Sequence, residues 1–125
     1  MNIVSREEAI PLTPHGFYVL TALADKPMSA YDLYEQCVHD AENSFPFNRR
    51  NLYRTVKNLT KWTFVKVKGQ YGSYASNHPR TVYAITPTGR QVLEFEATRM
   101  QSASGLAMAR LKLLERRLKP VTLAL

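Results

Sequence analysis

RRNLYRTVKNLTKWTFVKVK, residues 49–68, changes its period once, and that change decides the fold. From Arg49 to Lys61, at 100° per residue, Leu52, Val56 and Leu59 fall within about 60° of one another. Arg50, Arg54, Lys57 and Lys61 fall within a second arc of about 60° on the opposite side. One edge of this helix is built for burial, and Asn51, Tyr53 and Asn58 lie on its flanks. Like charges at i, i+4 repel by about 0.2–0.5 kcal/mol per pair. The cationic stripe therefore costs stability in isolation, which makes sense if phosphates neutralise it. After Lys61 the period drops to two: Thr63-Phe64-Val65-Lys66-Val67-Lys68 alternates and is rich in β-branched residues, the pattern of a strand.

Working outward, Arg80-Thr81-Val82-Tyr83-Ala84-Ile85 is a second such strand. Between the two lie residues 69–79, full of turn formers, so the pair reads as a hairpin with a long loop edged by Lys66, Lys68 and Arg80. Tyr71, Tyr74, His78 and Gln70 in or beside that loop can contact a sugar-phosphate backbone. Upstream, Leu12-Thr13-Pro14 supplies a cap and a proline at the first helical position, which predicts a helix from Pro14 to about Ala24. Ser29 with Asp32 predicts the start of a second helix, whose apolar stripe is Ala30, Leu33, Tyr34, Cys37 and Val38 and whose end is near Asp40. Residues 41–48 connect it to the basic helix, with Pro46 forbidding a continuous run.

Downstream, Thr86-Pro87 repeats the cap-plus-proline start, and helical pattern continues to about Leu118, where Pro120 is expected to stop it. Along it Leu93, Ala97, Met100, Ser104, Ala107, Leu111, Leu114 and Leu118 alternate in steps of four and three, a heptad seam. Such a helix could exceed 40 Å, longer than a small domain covers, so the seam is expected to meet a second subunit. Gly105 and its small neighbours weaken the middle but permit close approach. The fold class is thus mainly α with a small β-hairpin (α+β). Residues 1–85 form a winged helix-turn-helix domain and residues 86–125 a dimerisation helix and tail.

Charge supports a polyanionic partner. The chain of 125 residues carries a formal +7, unevenly placed. Residues 43–93 hold nine bases and no acid, whereas the remaining 8 bases and 10 acids leave −2. An acid-free basic segment is the electrostatic footprint of a nucleic-acid binder, although a run of bases is equally the composition of a solvated surface. Arg49, Arg50, Asn51, Tyr53, Arg54, Lys57, Lys61, Lys66, Lys68 and Arg80 are the candidate contacts to double-stranded DNA.

Other classes find little support. No glycine-rich phosphate loop, metal-ligand spacing or base-oriented nucleophile occurs, so an enzyme is not expected, nor a metal or other cofactor. Cys37 lies on an apolar stripe and reads as a small buried hydrophobe. There is no run of about 18 apolar residues, and the start MNIVSREEAI has acids where a signal peptide is basic and then apolar. A cytoplasmic protein without disulfides or a membrane partner is expected. Trp62, with Phe45, Phe47 and Phe64 near it in sequence, can line a ligand pocket between subunits, though a tryptophan at a helix end is more often core.

Three blocks resemble the PadR family. LTPHGFYVLTALADKPMSAYDLYEQC is similar to the family's opening, through Ala30, Tyr31, Asp32 and Leu33. RNLYRTVKNLTKWTFVKV resembles its Leu-Tyr recognition helix and following strand, through Leu52, Tyr53, Val56, Lys57, Leu59 and Val65. TVYAITPTGRQVLEFE is similar to its wing end and the start of its dimer helix, through Tyr83, Thr86, Gly89 and Arg90. Ala30 and Thr63 stand where the family usually has glycine, and Arg54 where it often has proline. Alanine and threonine can occupy such positions unless a positive φ is required. The resemblance implies a homodimeric transcriptional regulator, usually a repressor and sometimes released by a small-molecule effector. The same winged-helix parts also suit an architectural or plasmid-partition DNA-binding protein, separable by footprint length. The long seam alone would suit a protein-interaction module with an incidental basic face, separable by the salt dependence of duplex binding.

Overall fold

The computed structural model describes residues 10–71 and 80–124, with side-chain environments except those of Tyr71 and of residues 113–124. The elements are α1 (Pro14–Asp25), β1 (Met28–Ser29), α2 (Ala30–Ala41), α3 (Arg49–Lys61), β2 (Val65–Tyr71), β3 (Arg80–Ile85) and α4 (Pro87–Ala124). They divide into two compact units, Met1–Leu93 and Glu94–Leu125. The arrangement is mainly helical with one three-stranded antiparallel sheet in the order β1-β3-β2. This is a winged helix-turn-helix followed by a long C-terminal helix.

Each helix begins on a side-chain cap that satisfies an otherwise orphaned backbone N–H. Thr13 Oγ1 accepts from Gly16 N–H at 3.1 Å, and Ser29 Oγ from Asp32 N–H at 3.3 Å. Asn48 Oδ1 accepts from Asn51 N–H at 2.8 Å, which fixes the first turn of α3. α2 runs one residue past the expected end, to Ala41. Glu42, at φ 48°, then turns its N–H back onto the carbonyls of Val38 and His39.

The core gathers Val19, Leu20 and Leu23 of α1, Leu33 and Cys37 of α2, and Leu52, Val56 and Leu59 of α3, closed by Phe64, Val65 and Ile85. The apolar edge of α3 is thus fully used. Cys37 is wholly covered, and burial, with the Asp40 charge adding to it, pushes its thiol up to about 12, so it behaves as a hydrophobe. Val38, expected on the buried stripe of α2, is instead exposed, and Ala41 is buried one turn later. The stripe follows the true 3.6-residue period, which carries Ala41 rather than Val38 beneath the helix.

The exit from α3 is a Schellman turn. Phe64 N–H reaches back to Leu59 O at 2.9 Å and Thr63 N–H to Thr60 O at 3.0 Å. That geometry puts Thr63 in the left-handed region, φ 66°, so the position does require the conformation that glycine adopts freely. The start of α4 is stitched to this turn. Thr86 Oγ1 donates to Thr63 O at 2.6 Å and accepts from Gly89 N–H at 2.9 Å, while Thr86 N–H donates to Phe64 O at 3.0 Å. The approach is so close that a Cβ on Gly89 would lie 2.2 Å from Phe64 O.

Two other features differ from the sequence-based expectation. β1, only two residues long, pairs Met28 with Tyr83 and Ser29 with Val82 and was not anticipated. α4 carries Pro120 inside it and runs to Ala124 instead of ending near Leu118. A proline inside a helix removes one backbone hydrogen bond and crowds the preceding turn, which strains the helix without forbidding its continuation.

Candidate nucleic-acid interface

α3 presents the proposed stripe as the sequence implies. Leu52, Val56 and Leu59 are buried, and Arg50, Arg54, Lys57 and Lys61 are all exposed. Among the described residues no ion pair engages these four cations. Asn48 starts the helix, so Arg50, Asn51 and Arg54 sit in its first two turns and Lys57 and Lys61 in the later ones.

The two flanks of α3 have different neighbours. On one, Thr55 and Asn58 join Leu59, Trp62 and the segment Pro11-Leu12-Thr13 ahead of α1 around a small, mostly apolar pocket. Asn51, whose carbonyl accepts from the Thr55 hydroxyl at 2.8 Å, belongs to this side and is half-buried. On the other flank Tyr53, 56% exposed, faces the start of α2 and the strand β3. Arg49 turns to that side too, its guanidinium 5.6 Å from the centre of the Tyr34 ring. It stands apart from the four-cation stripe and fastens α3 to α2 by a cation–π contact.

The hairpin carries Lys66, Lys68 and Arg80, all exposed. Pairing runs from Val65 opposite Ile85 to Tyr71 opposite Arg80, with a bulge that leaves Lys68 without a partner residue between Val67 and Gly69. A bulge increases local twist and re-aims the side chain it releases. β2 extends to Tyr71, three residues beyond the alternating stretch. Tyr74 and His78, expected in the loop, lie outside the described residues, as does the side chain of Tyr71.

Arg90, ninth base of the acid-free window, has a structural role. Its guanidinium donates to the carbonyl of Ala24 at 3.3 Å, in the last turn of α1, where a cation also opposes the helix dipole. The aromatic group around Trp62 splits. Trp62 meets Phe64 at 6.4 Å between ring centres and packs at the edge of the core, whereas Phe45 and Phe47 join His15 and Tyr18 in a separate cluster with centres 4.6–6.0 Å apart. That cluster seats the connector leading into α3.

On α4, Leu93 is half-buried against the core of its own unit. Met100 is half-buried, and Ala97, Ala107 and Leu111 are exposed. The side chains of Leu114 and Leu118 lie outside those described. Phe95, Leu106 and Met108 add exposed apolar surface beside the seam. Glu96 is fully buried and accepts two N–H groups of Arg99, at 2.8 and 3.2 Å, a pair that periodicity does not reveal. Among the described residues no group of three or more acids, histidines or cysteines could hold a metal ion, and no helix is long and apolar enough to cross a membrane.

No curated protein matches the sequence. Solved structures do match the fold. A PadR family transcription regulator from Clostridium difficile superposes with TM-score 0.68 at 18% identity, over 79% of this chain and 99% of that one. A PadR-like transcription factor from Bacteroides fragilis gives 0.61 at 19%, over 87% and 99%. PadR from Bacillus subtilis, determined in complex with operator DNA, gives 0.62 at 18%, over 91% of this chain and 75% of that one. At these identities the likeness shows the fold alone. The sequence itself carries the relationship further, because residues 19–95 match the family model described as the transcriptional regulator PadR-like family. That match spans the core, the basic helix and both hairpin strands, and the chain therefore belongs to the PadR-like family of transcriptional regulators.

Proposed function

We propose that the chain is a sequence-specific repressor that binds duplex DNA as a homodimer, with α3 in the major groove and the β2–β3 wing on the backbone. The observation that carries this reading is the face of α3: four exposed cations in one arc, unpaired with any described acid and opposite a fully buried apolar edge. A surface that only met water would gain from interspersed acids at i, i+4. A phosphate-lined groove reverses that balance. The operator DNA held by the B. subtilis protein of the same fold supports the choice of duplex over other polyanions.

Within α3 the cations divide by chemistry. Arg50 and Arg54 are near the N-terminal end, where helix-turn-helix proteins reach base edges, and arginine grips guanine O6 and N7 with two parallel bonds. Asn51 suits adenine in the same way. Lys57 and Lys61 are point charges in the later turns, and with Lys66, Lys68 and Arg80 of the wing they hold phosphates. The exposed Leu111 and its seam neighbours on α4 supply the dimer contact, which joins two such faces into one reader. The protein on this reading is a binder and not an enzyme, and it works in the cytoplasm beside the DNA it regulates. An effector, where one acts, is a small molecule.

The test is a set of alanine variants measured against a duplex selected from a random pool and against a scrambled duplex, each at two salt concentrations. Arg50→Ala and Arg54→Ala are expected to lose about 1–3 kcal/mol on the selected duplex with little change on the scrambled one. Lys57→Ala and Lys61→Ala are expected to weaken both duplexes alike and to lower the salt slope by about one each. Equal losses on both duplexes for the arginines would remove them as base readers.

A further inference from the structure

Tyr31, at the start of α2, is 58% exposed, and so is most of Tyr53 on α3. In the sequence Tyr31 stands out only as part of the block that resembles the family's opening. The fold brings these two phenols together on one groove with Arg80, Thr81 and Tyr83 of β3. They also share a second, smaller recess beside Tyr34 and Arg49. The main groove is lined by three tyrosines, Thr81, Arg80 and, at its α2 end, Ser29 and Ala30, with no acidic residue among them. Every polar side chain in this lining can donate a hydrogen bond, and one is always charged. Such a lining takes an oxyanion.

Its position decides which one. On the α3 wheel Tyr53 lies about 40–100° from the centres of the four cations, on the side that faces α2 and β3. A helix seated in the major groove has a sugar-phosphate strand along each flank, because the groove is only about 12 Å wide. The groove of Tyr31, Tyr53 and Arg80 lies along one of those flanks, and β3, which supplies Arg80, is itself a strand of the wing. We infer that this groove is a subsite for one backbone phosphodiester of the bound duplex, with Arg80 supplying the charge and Tyr31 and Tyr53 supplying neutral O–H donors. The inference rests on the reading of α3 as the groove-entering helix. It adds that α2 and β3 jointly grip the strand beside it, which sets the depth and register at which Arg50 and Arg54 meet base edges.

The test combines phenol removal with removal of single phosphate charges, using duplexes in which one phosphate at a time is replaced by a neutral methylphosphonate. Tyr31→Phe keeps the exposed ring and removes only the donor, so folding is unaffected. It is expected to weaken duplex binding about three- to tenfold without changing the salt slope, whereas Arg80→Ala lowers the slope by about one. One methylphosphonate position is expected to weaken the unmodified protein and to leave Tyr31→Phe and Arg80→Ala almost unaffected, because the contact it removes is already gone. If the protein binds the duplex and every position weakens variants and unmodified protein equally, the subsite is overturned and the reading of α3 stands. If inorganic phosphate at millimolar concentration abolishes the tyrosine effect and no position does, the groove binds a free anion and the inference is likewise wrong. Absence of any duplex binding would overturn both.

Discussion

Thr63 is the place where a single substitution gives the most discriminating test of the fold. Its φ of 66° is held by the two Schellman hydrogen bonds at the end of α3 and by the hydroxyl of Thr86 on its carbonyl. A left-handed conformation costs an L-residue about 1–2 kcal/mol, and a β-branched side chain belongs at the upper end of that range. Elsewhere, in ordinary backbone, glycine is less stable than alanine by about 0.5–1 kcal/mol because it has more freedom to lose. At position 63 the sign reverses. Thr63→Ala and Thr63→Gly remove the same side-chain contacts, so their difference isolates the backbone, and glycine should exceed alanine by about 1 kcal/mol. For a unit of this size that corresponds to roughly 4–8 °C in Tm. Thr63→Gly should also equal or exceed the natural protein. The assay is urea and thermal unfolding of the three proteins under one condition. A Thr63→Ala protein as stable as Thr63→Gly, or more so, would mean that the left-handed turn does not exist as described.

Two further outcomes follow from the same packing. Gly89→Ala forces a methyl into 2.2 Å from Phe64 O and should cost about 3 kcal/mol, read as a lower urea midpoint; an unchanged midpoint would show that α4 does not start against the α3 exit. Leu111→Glu with Leu114→Glu should give a monomer by sedimentation, since each leucine of the seam gains about 1.5–3 kcal/mol from burial in a dimer and a carboxylate cannot follow it. A natural protein already monomeric at micromolar concentration would refute the seam.

The parts of the molecule legible in the sequence are those with a strong period. α3 has both ends where the pattern places them, because Leu52, Val56 and Leu59 repeat at helical spacing and the alternation after Lys61 marks the stop. β3 and the capped starts of α1, α2 and α4 are legible for the same reason. What periodicity cannot show is a consequence of contacts distant in sequence. β1 is too short to alternate and exists because Tyr83 and Val82 come to meet it. Threonine at 63 is not itself a turn former, and only its place where the resembled family usually has glycine hinted at the left-handed exit that the bonds to Leu59 and Thr60 and from Thr86 establish. Tyr31, Tyr53 and Arg80 come from three separate elements, and no spacing rule joins them. Arg49 and Arg90 count as bases in the sequence, yet one lies on Tyr34 and the other on the end of α1.

The central claim is that the acid-free segment holds a duplex by its phosphates, and the salt dependence of duplex affinity tests it most directly. On the proposed reading Lys57, Lys61, Lys66, Lys68 and Arg80 are the five cations that hold phosphates in each subunit. Counterion release then predicts a slope of log K against log salt of about −4.5 per subunit. Lys57→Ala combined with Lys61→Ala should bring it to about −2.7 without loss of fold. A slope near zero, or one unchanged in the double variant, would contradict the account and leave the basic face of α3 as a solvated surface.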